Sequence, residues 1–447
     1  MLNRIGKFFI FILVITLTGC SYFYSDRQKT KEKVIEKKKE IEGLEGIYRP
    51  KGERPKLPLL DENSDISDFI KYAILNNPKI EAEFYSWKEE VYKLASERFL
   101  PEPKISFEGT INSILKELMV GIMFMFPKSE KIPLSIELYS LEVEKKRLNF
   151  EYEILKTIYK VKNISYRYYL IEKKIKFVEK IINLLEEIEK INMSKLKVAK
   201  ASEKDILKIQ IEKEQMKNML LDMIDSKNYI LREFASVLGI PPEEKIPEPP
   251  GNLKFTEGTF SETEVWKIVK DKNPKLSILE KGIKQAEIFI KIAYREYYPE
   301  METGIMRNFF SSMIITKPFI ALSLPWREKV QYQIRSTEST LKVEKAEYSS
   351  ELLDLATVLS EALFRWRQAN REKNLYEKIL LPKEESVFYL TKSNYITGLS
   401  DIDEFLISEK NYYEFNINYL SAVVLREITL NEISLTIAGI MPEDIWR

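Results

Sequence analysis

The 447-residue sequence contains no histidine and a single cysteine, Cys20. Without imidazole the usual general base and the commonest transition-metal ligand are missing, so Ser-His-Asp triads, Cys-His nucleophiles and zincin-type metal sites cannot be assembled. One thiol excludes a disulfide within the chain. A charge excess is missing too: 70 Lys and Arg stand against 69 Asp and Glu, which leaves no overall field to attract nucleic acid. No Gly-rich loop leads into Lys-Ser or Lys-Thr, so no nucleotide cradle of that kind is expected. Carboxylate-only hydrolysis survives these exclusions, but it needs an acid pair in a cleft, and the sequence gives no compact domain to hold one. The expectation is a protein that is not an enzyme and uses neither metal nor cofactor.

What is present begins with Arg4 and Lys7, continues through the apolar run Phe8 to Leu17, and closes on Leu17-Thr18-Gly19-Cys20. The apolar core is about ten residues, against roughly 20 for a helix that spans a bilayer. The segment therefore reads as a secretion signal with a lipoprotein cleavage box, residues 1–19 being removed and Cys20 carrying covalent lipid such as palmitate. A permanent transmembrane anchor is the competing reading. Ser21 follows, where bacterial lipoproteins held at the inner membrane have Asp, so the outer membrane is the expected destination. Each buried methylene contributes about 0.8 kcal/mol, and several acyl chains on one residue hold a protein to a membrane without a spanning helix.

Landmarks of the first half recur in the second at an offset close to 200 residues, the mark of a duplicated unit. Asn77-Pro78 is echoed by Asn273-Pro274, Pro101 by Pro299, Pro127 by Pro325, and Ala199 by Gly398. Between the copies, Pro241, Pro242, Pro247, Pro249 and Pro250 form a stiff extended joint that cannot continue a helix. The chain divides accordingly. Residues 20–65 are a lipidated segment and charged linker, 66–238 the first repeat, 239–260 the Pro-rich linker, 261–439 the second repeat and 440–447 a tail.

Within each repeat the periodicity changes. A helix from about Pro78 to Phe99 gives way to alternation, Ile105, Phe107 and Ile111 against Lys104, Ser106 and Thr110, which predicts a strand. A second strand is predicted over Leu118 to Phe126, and a matching pair over Met301 to Asn308 and Thr316 to Leu324. Such segments suit either membrane strands or soluble β-arms packed on helices; the exported, lipid-anchored context favours the membrane. Four strands cannot close a barrel and lipid tolerates no open edge, so copies of the chain would have to combine.

Long helical patterns follow each hairpin, over Lys131 to Val198 and Glu328 to Ile396. At 1.5 Å per residue each reaches about 100 Å. Ile171, Ile175, Val178, Ile182 and Leu185 make one coiled-coil-like seam, and Phe177, Ile181, Leu184, Ile188 and Ile191 a second. Two seams suit a curved wall of helices; a wide stripe on one globular core is the alternative. Shorter helices, Pro78 to Phe99 and Glu203 to Leu238, stand opposite the long ones, and Pro382 predicts a kink.

These features together resemble the outer-membrane efflux family typified by TolC. The resemblance rests on the Asn-Pro starts at Asn77-Pro78 and Asn273-Pro274, the helix exits Leu100-Pro101 and Tyr298-Pro299, and the strand exit Leu322-Ser323-Leu324-Pro325-Trp326. Its most specific stretch runs from Leu381-Pro382-Lys383-Glu384-Glu385 to Ser393-Asn394-Tyr395-Ile396-Thr397-Gly398-Leu399-Ser400-Asp401. The resemblance implies a mainly α chain with a small β part. Three copies would make a homotrimer, pooling four strands each into a twelve-stranded transmembrane barrel continued by an α-helical barrel. It implies passive efflux through a tripartite system with a periplasmic adaptor (membrane fusion) protein and an inner-membrane transporter of the resistance-nodulation-division type.

The same resemblance places two tip turns, Ala199, Lys200, Ala201 and Ser202 in one repeat and Gly398, Leu399, Ser400 and Asp401 in the other, against the adaptor. Glu404, Asp205 and Tyr395 become candidate gate residues by position. Glu404 would form a charged ring at a narrow mouth, with Ile407 one turn inward, and Asp205 and Tyr395 would tie neighbouring helices. The basic partner of that tie falls at Ser400 here, a departure from the family pattern. Asp205 is equally placed to stabilise a helix N-terminus, and Glu404 and Tyr395 to be ordinary solvated residues. A periplasmic spacer lipoprotein tethering envelope layers is the alternative function; it shares the signal and the helices but has no use for strands.

Overall fold

The structure, a computed structural model, describes residues 31–61, 64–99, 101–112, 114–128, 131–197, 202–251, 253–256, 262–308 and 316–439, with backbone alone at 110–112 and 114–117. The expected signal segment 1–19, Cys20, Leu100, the tip residues Ala199, Lys200 and Ala201, and the tail 440–447 lie outside the described residues.

The first half contributes helix α1 through residues 31–48, α2 (Ile66–Asn76), α3 (Pro78–Ser96), β1 (Lys104–Asn112), β2 (Ile114–Phe126), α4 (Lys131–Lys197) and α5 (Glu203–Leu238). The second contributes α6 (Glu262–Lys272), α7 (Pro274–Arg295), β3 (Glu300–Asn308), β4 (Thr316–Ser323), α8 (Arg327–Leu375), a π turn (Tyr376–Leu380), α9 (Leu381–Thr397) and α10 (Ile402–Thr436). Short helix, helix, hairpin, long helix and helix thus occur twice in one order, so the offset read in the sequence is a duplication of elements. Residues 31–48, inside the segment expected as a linker, are helical. Val34, Ile41 and Tyr48 recur every seven residues and are buried.

The chain forms two compact units, and α3, α4 and α8 each contribute to both. In the first unit, built from residues up to 53, 82–151 and 274–352, the strands form one antiparallel sheet in the order β1-β2-β3-β4. The hairpin of one half pairs with that of the other through β2 and β3, with Met119 opposite Asn308 and Phe126 opposite Met301. Helix packing here is partly polar. Lys281 is ion-paired with Glu144, and Gln285 Nε2 donates to Glu142 Oε2 at 2.9 Å. Tyr48 sets its ring against Phe84 and Phe150, centroids 5.0 and 5.8 Å away.

The second unit comprises residues 54–81, 152–273 and the described chain from 353. Both predicted seams of α4 are used. Val178, Ile181, Ile182, Leu185 and Ile188 are buried in a cluster with Ile209 and Met216 of α5, Phe388 of α9 and Phe405 of α10. Apolar side chains of this size stabilise by roughly 1.5–3 kcal/mol each when fully buried, so the paired seams dominate the hold between these helices. Pro382 takes effect one turn before itself. Its ring cannot sit against the carbonyl four residues back, and the helix widens through Tyr376–Leu380 so that the Leu381 N–H donates to the Tyr376 carbonyl.

The Asn-Pro pairs prove to be joints. Asn77 Oδ1 accepts from the Lys79 N–H at 2.8 Å, capping α3, while Pro78 stands at the helix start where no amide is needed. Asn77 Nδ2 donates to the Val237 carbonyl at 2.8 Å, and Asn273 Nδ2 to the Thr436 carbonyl at 3.0 Å. Both carbonyls lie in the last turn of a helix, where intrahelical donors run out. Gly239 and Gly439 follow these turns with φ of 73° and 81°, a conformation that closes a helix without a Cβ penalty. The Pro-rich linker is likewise held: Tyr166 Oη donates to the Lys254 carbonyl at 2.6 Å, and Glu427 Oε1 accepts from the Thr256 N–H at 3.0 Å.

Candidate functional site

Two regions carry the expected functional residues, one in each unit. In the first, strand register sorts the side chains by face, because residues directly opposite in an antiparallel pair point the same way. One face carries the rows Ile105-Ile122-Ile305-Pro318, Phe124-Thr303-Ile320 and Phe126-Met301-Leu322, and at one end Phe107-Val120-Arg307-Thr316 with its charged Arg307. The other carries Lys104-Met123-Gly304-Phe319, Ser106-Gly121-Met306-Lys317 and Met125-Glu302-Ala321. Large apolar side chains of the first face are exposed: Ile105 is 66% exposed, Ile305 58% and Ile320 68%.

A contiguous apolar sheet face of this kind is unfavourable in water and marks a surface meant for another medium or partner. At the strand ends nearest the helices, Phe99, Tyr298 and Trp326 are exposed, aromatic side chains of the type that sits at headgroup level. β1 and β4 are sheet edges, each with one side lacking a neighbouring strand among the described residues. Among the described residues no helix is long and apolar enough to cross a membrane. No group of three or more Cys, Asp or Glu is placed to hold a metal ion among them either.

In the second unit the tips are shaped by capping. Ser202 starts α5 with a reciprocal box: its Oγ accepts from the Asp205 N–H at 3.2 Å, and Asp205 Oδ2 accepts from the Ser202 N–H at 3.0 Å. Asp401 starts α10, accepting from the Glu404 N–H at 2.9 Å. Gly398 ends α9 with φ 84°, and the Leu399 N–H returns to the Asn394 carbonyl at 2.8 Å. Leu399 is 80% exposed, the Glu404 side chain is exposed with no ion pair among the described residues, and Ile407 beyond it is exposed as well.

Tyr395 is buried. Its ring stacks on Phe405 with centroids 5.5 Å apart, and its hydroxyl donates to Asn192 Oδ1 at 2.6 Å. Lys195 Nζ donates to the Tyr395 carbonyl at 2.8 Å and lies 5.0 Å from the ring centroid. Burial pushes the Tyr395 phenol above its ordinary range, with Asp205 adding a negative charge nearby. The structure thus brings Tyr395 to α4 through Asn192 and Lys195. Asp205 is taken up by the capping box, and Ser400 presents a buried Oγ with no partner among the described residues. Asn192 and Lys195 were not singled out in the sequence; an Asn placed directly after the apolar seam residue Ile191 was the available signal.

No family model matches the sequence, and no curated protein matches it. Solved structures match the fold. A membrane protein from Pseudomonas aeruginosa superposes with a TM-score of 0.75 at 12% identity, covering 88% of this chain and 97% of that one. The CmeC outer membrane channel of Campylobacter jejuni gives 0.69 at 11% identity, over 90% and 94%. The open-state MtrE outer membrane channel of Neisseria gonorrhoeae gives 0.69 at 15% identity, over 87% and 97%. The chain has the fold of the outer-membrane efflux channels.

Proposed function

We propose, with the efflux-channel fold as premise, that this chain is one of three identical subunits of an outer-membrane duct in a tripartite efflux system. The observation that carries the reading is the sheet with one apolar, uncovered face and two open edges. Lipid accepts that face but not those edges, and three sheets joined edge to edge remove them in a twelve-stranded barrel. The long helices, with seams on two sides, continue the wall as an α-helical barrel through the periplasm. Cys20 carries lipid that adds to the anchor. A spacer lipoprotein would gain nothing from an apolar sheet face.

Conduction is passive, its energy supplied by an inner-membrane transporter through a periplasmic adaptor. The adaptor meets the tips at residues 199–202 and 398–401, where the exposure of Leu399 supports a contact surface. Glu404 lines the mouth, a reading supported by its exposed carboxylate, which no cation among the described residues engages. Purified protein added to planar bilayers is expected to give discrete conductance steps selective for cations, as a charged ring dictates. In Glu404→Gln the steps persist and cation selectivity falls several-fold. Absence of any step contradicts the duct; unchanged selectivity in the variant removes Glu404 from the mouth.

A further inference from the structure

A buried carboxyl stands on α10 two turns from the tip. Glu409 is 1% exposed, its Oε2 has no hydrogen-bond partner among the described residues, and the neighbouring Ser408 Oγ is buried and equally without one. α5 and α10 both run away from their N-caps, and two brackets fix their register. Lys208 is ion-paired with Asp403 on the tip side, and Tyr413 Oη donates to Met219 Sδ at 3.2 Å on the far side. At that offset Glu212 of α5 lies within one helical turn of the level of Glu409, and its charge acts on that carboxyl.

Two cations of α5 near this carboxyl are committed elsewhere. On α5, Lys208 is held by Asp403 and Lys213 by Glu189 of α4, which also accepts from Gln210 at 2.7 Å. On α9, Glu385 acts on Tyr412, and the carboxyl of Glu384 is itself raised by burial. On α10 itself, Asp403 is taken by Lys208, while Glu404 and Lys410 are exposed. α4 and α9 bring apolar side chains to this stretch, among them Leu185, Ile188 and Phe388, and α9 also brings the buried Thr391 and the half-buried Lys392 to the level of Glu409. Burial first, and then the negative charge of Glu212, pushes the Glu409 carboxyl up to about 8.

We propose that Glu409, facing Glu212, is a proton-operated latch: α10 packed on α5 holds a proton that α10 parted from α5 releases to solvent. An ionised Glu409 would sit in this site with no donor to its Oε2, no ion-pair partner among the described residues and a like charge on Glu212 nearby. The neutral acid needs no counter-ion. The packed arrangement has its full advantage below the ordinary carboxyl value of 4.5, loses it as pH rises to about 8, and changes no further above that. Acid therefore tightens the tip end of α10 on α5, and alkali loosens it. The latch lies in the packing of two helices of one chain, so it stands or falls separately from the duct.

Hydrogen exchange on the full-length protein in detergent tests it, read as protection of the amides of 404–413 after correction for the intrinsic pH dependence of exchange. Between about pH 5.5 and 8.5 the wild-type protection is expected to fall on the order of tenfold or more, while α7 amides serve as the unchanging reference. Glu409→Gln, which keeps the shape and cannot ionise, is expected to stay protected across the range. Glu212→Gln, which removes the facing charge, is expected to show a smaller fall and covers the case in which the first variant does not assemble. A wild-type profile without a fall, or a fall of equal size in either variant that assembles, overturns the latch.

Discussion

Ile305→Arg is expected to abolish accumulation of the assembled protein in the outer membrane. Ile305 lies near the middle of β3 and points out of the apolar face between Ile122 and Pro318. A cationic side chain at the midplane of a barrel's lipid face costs roughly 2–4 kcal/mol, and less toward the interfaces. Every subunit bears that cost, and at several kcal/mol per assembly the insertion equilibrium moves by orders of magnitude. Ala321→Lys is the matched control. Ala321 sits on the opposite face, directly across from Glu302, where an added cation gains a cross-strand partner. Membrane fractionation of the two variants separates a lipid face from a generic tolerance of charge: I305R is lost and A321K is retained. Equal retention contradicts a lipid-facing role for this surface.

The second large effect is expected at a helix end. Gly239 and Gly398 both adopt positive φ, so Ala at either costs about 1–2 kcal/mol from conformation alone. At Gly398 an added Cβ meets open space, whereas at Gly239 it comes 2.6 Å from the Asn76 carbonyl oxygen. Relief of that clash moves Asn76, whose Nδ2 donates to the Leu238 carbonyl at 2.9 Å and to the Gly239 carbonyl at 3.0 Å. Leaving such groups unpaired in a buried site adds roughly 1–3 kcal/mol. Gly239→Ala is therefore expected to lower the thermal midpoint well below that of Gly398→Ala, measured in one detergent at one scan rate. Equal midpoints would mean that the joint between α2 and α5 bears no load.

The elements were legible where one periodicity ran long enough. The outer ends of the predicted long helices fall within two residues of the observed ones, and all four strands appear, with β2 starting at Ile114, four residues before the predicted Leu118, because seams of Ile, Leu and Val and alternation of apolar with polar side chains each favour one backbone geometry. Helix α1 was obscured: Val34, Ile41 and Tyr48 keep a seven-residue spacing, but the Lys and Glu between them read as a charged linker. The Asn-Pro pairs were visible as landmarks and opaque as mechanism, since their partners Val237 and Thr436 lie about 160 residues away.

At residues 398–401 the expected turn is present, and the structure supplies the contacts around it, whereas 199–201 lie outside the described residues. Ser202 and Asp205 have the spacing of a capping box, and the box is formed. Tyr395 gave no sign of Asn192 or Lys195, because the contact spans about 200 positions of the chain. Glu409 was invisible for a different reason. It stands among Lys and Glu of an ordinary solvated helix face, and only the packing of α10 among its neighbouring helices converts it into a buried carboxyl.

All of these features bear on one claim, that a sheet with an apolar face and two unpaired edges is completed by further copies of the same chain. Native mass spectrometry of the protein extracted from outer membranes in mild detergent tests it most directly. The account expects a complex of three chains, about three times the mass of one acylated subunit, that survives extraction as a unit. A monomer that stays soluble once stripped of lipid and detergent would contradict it.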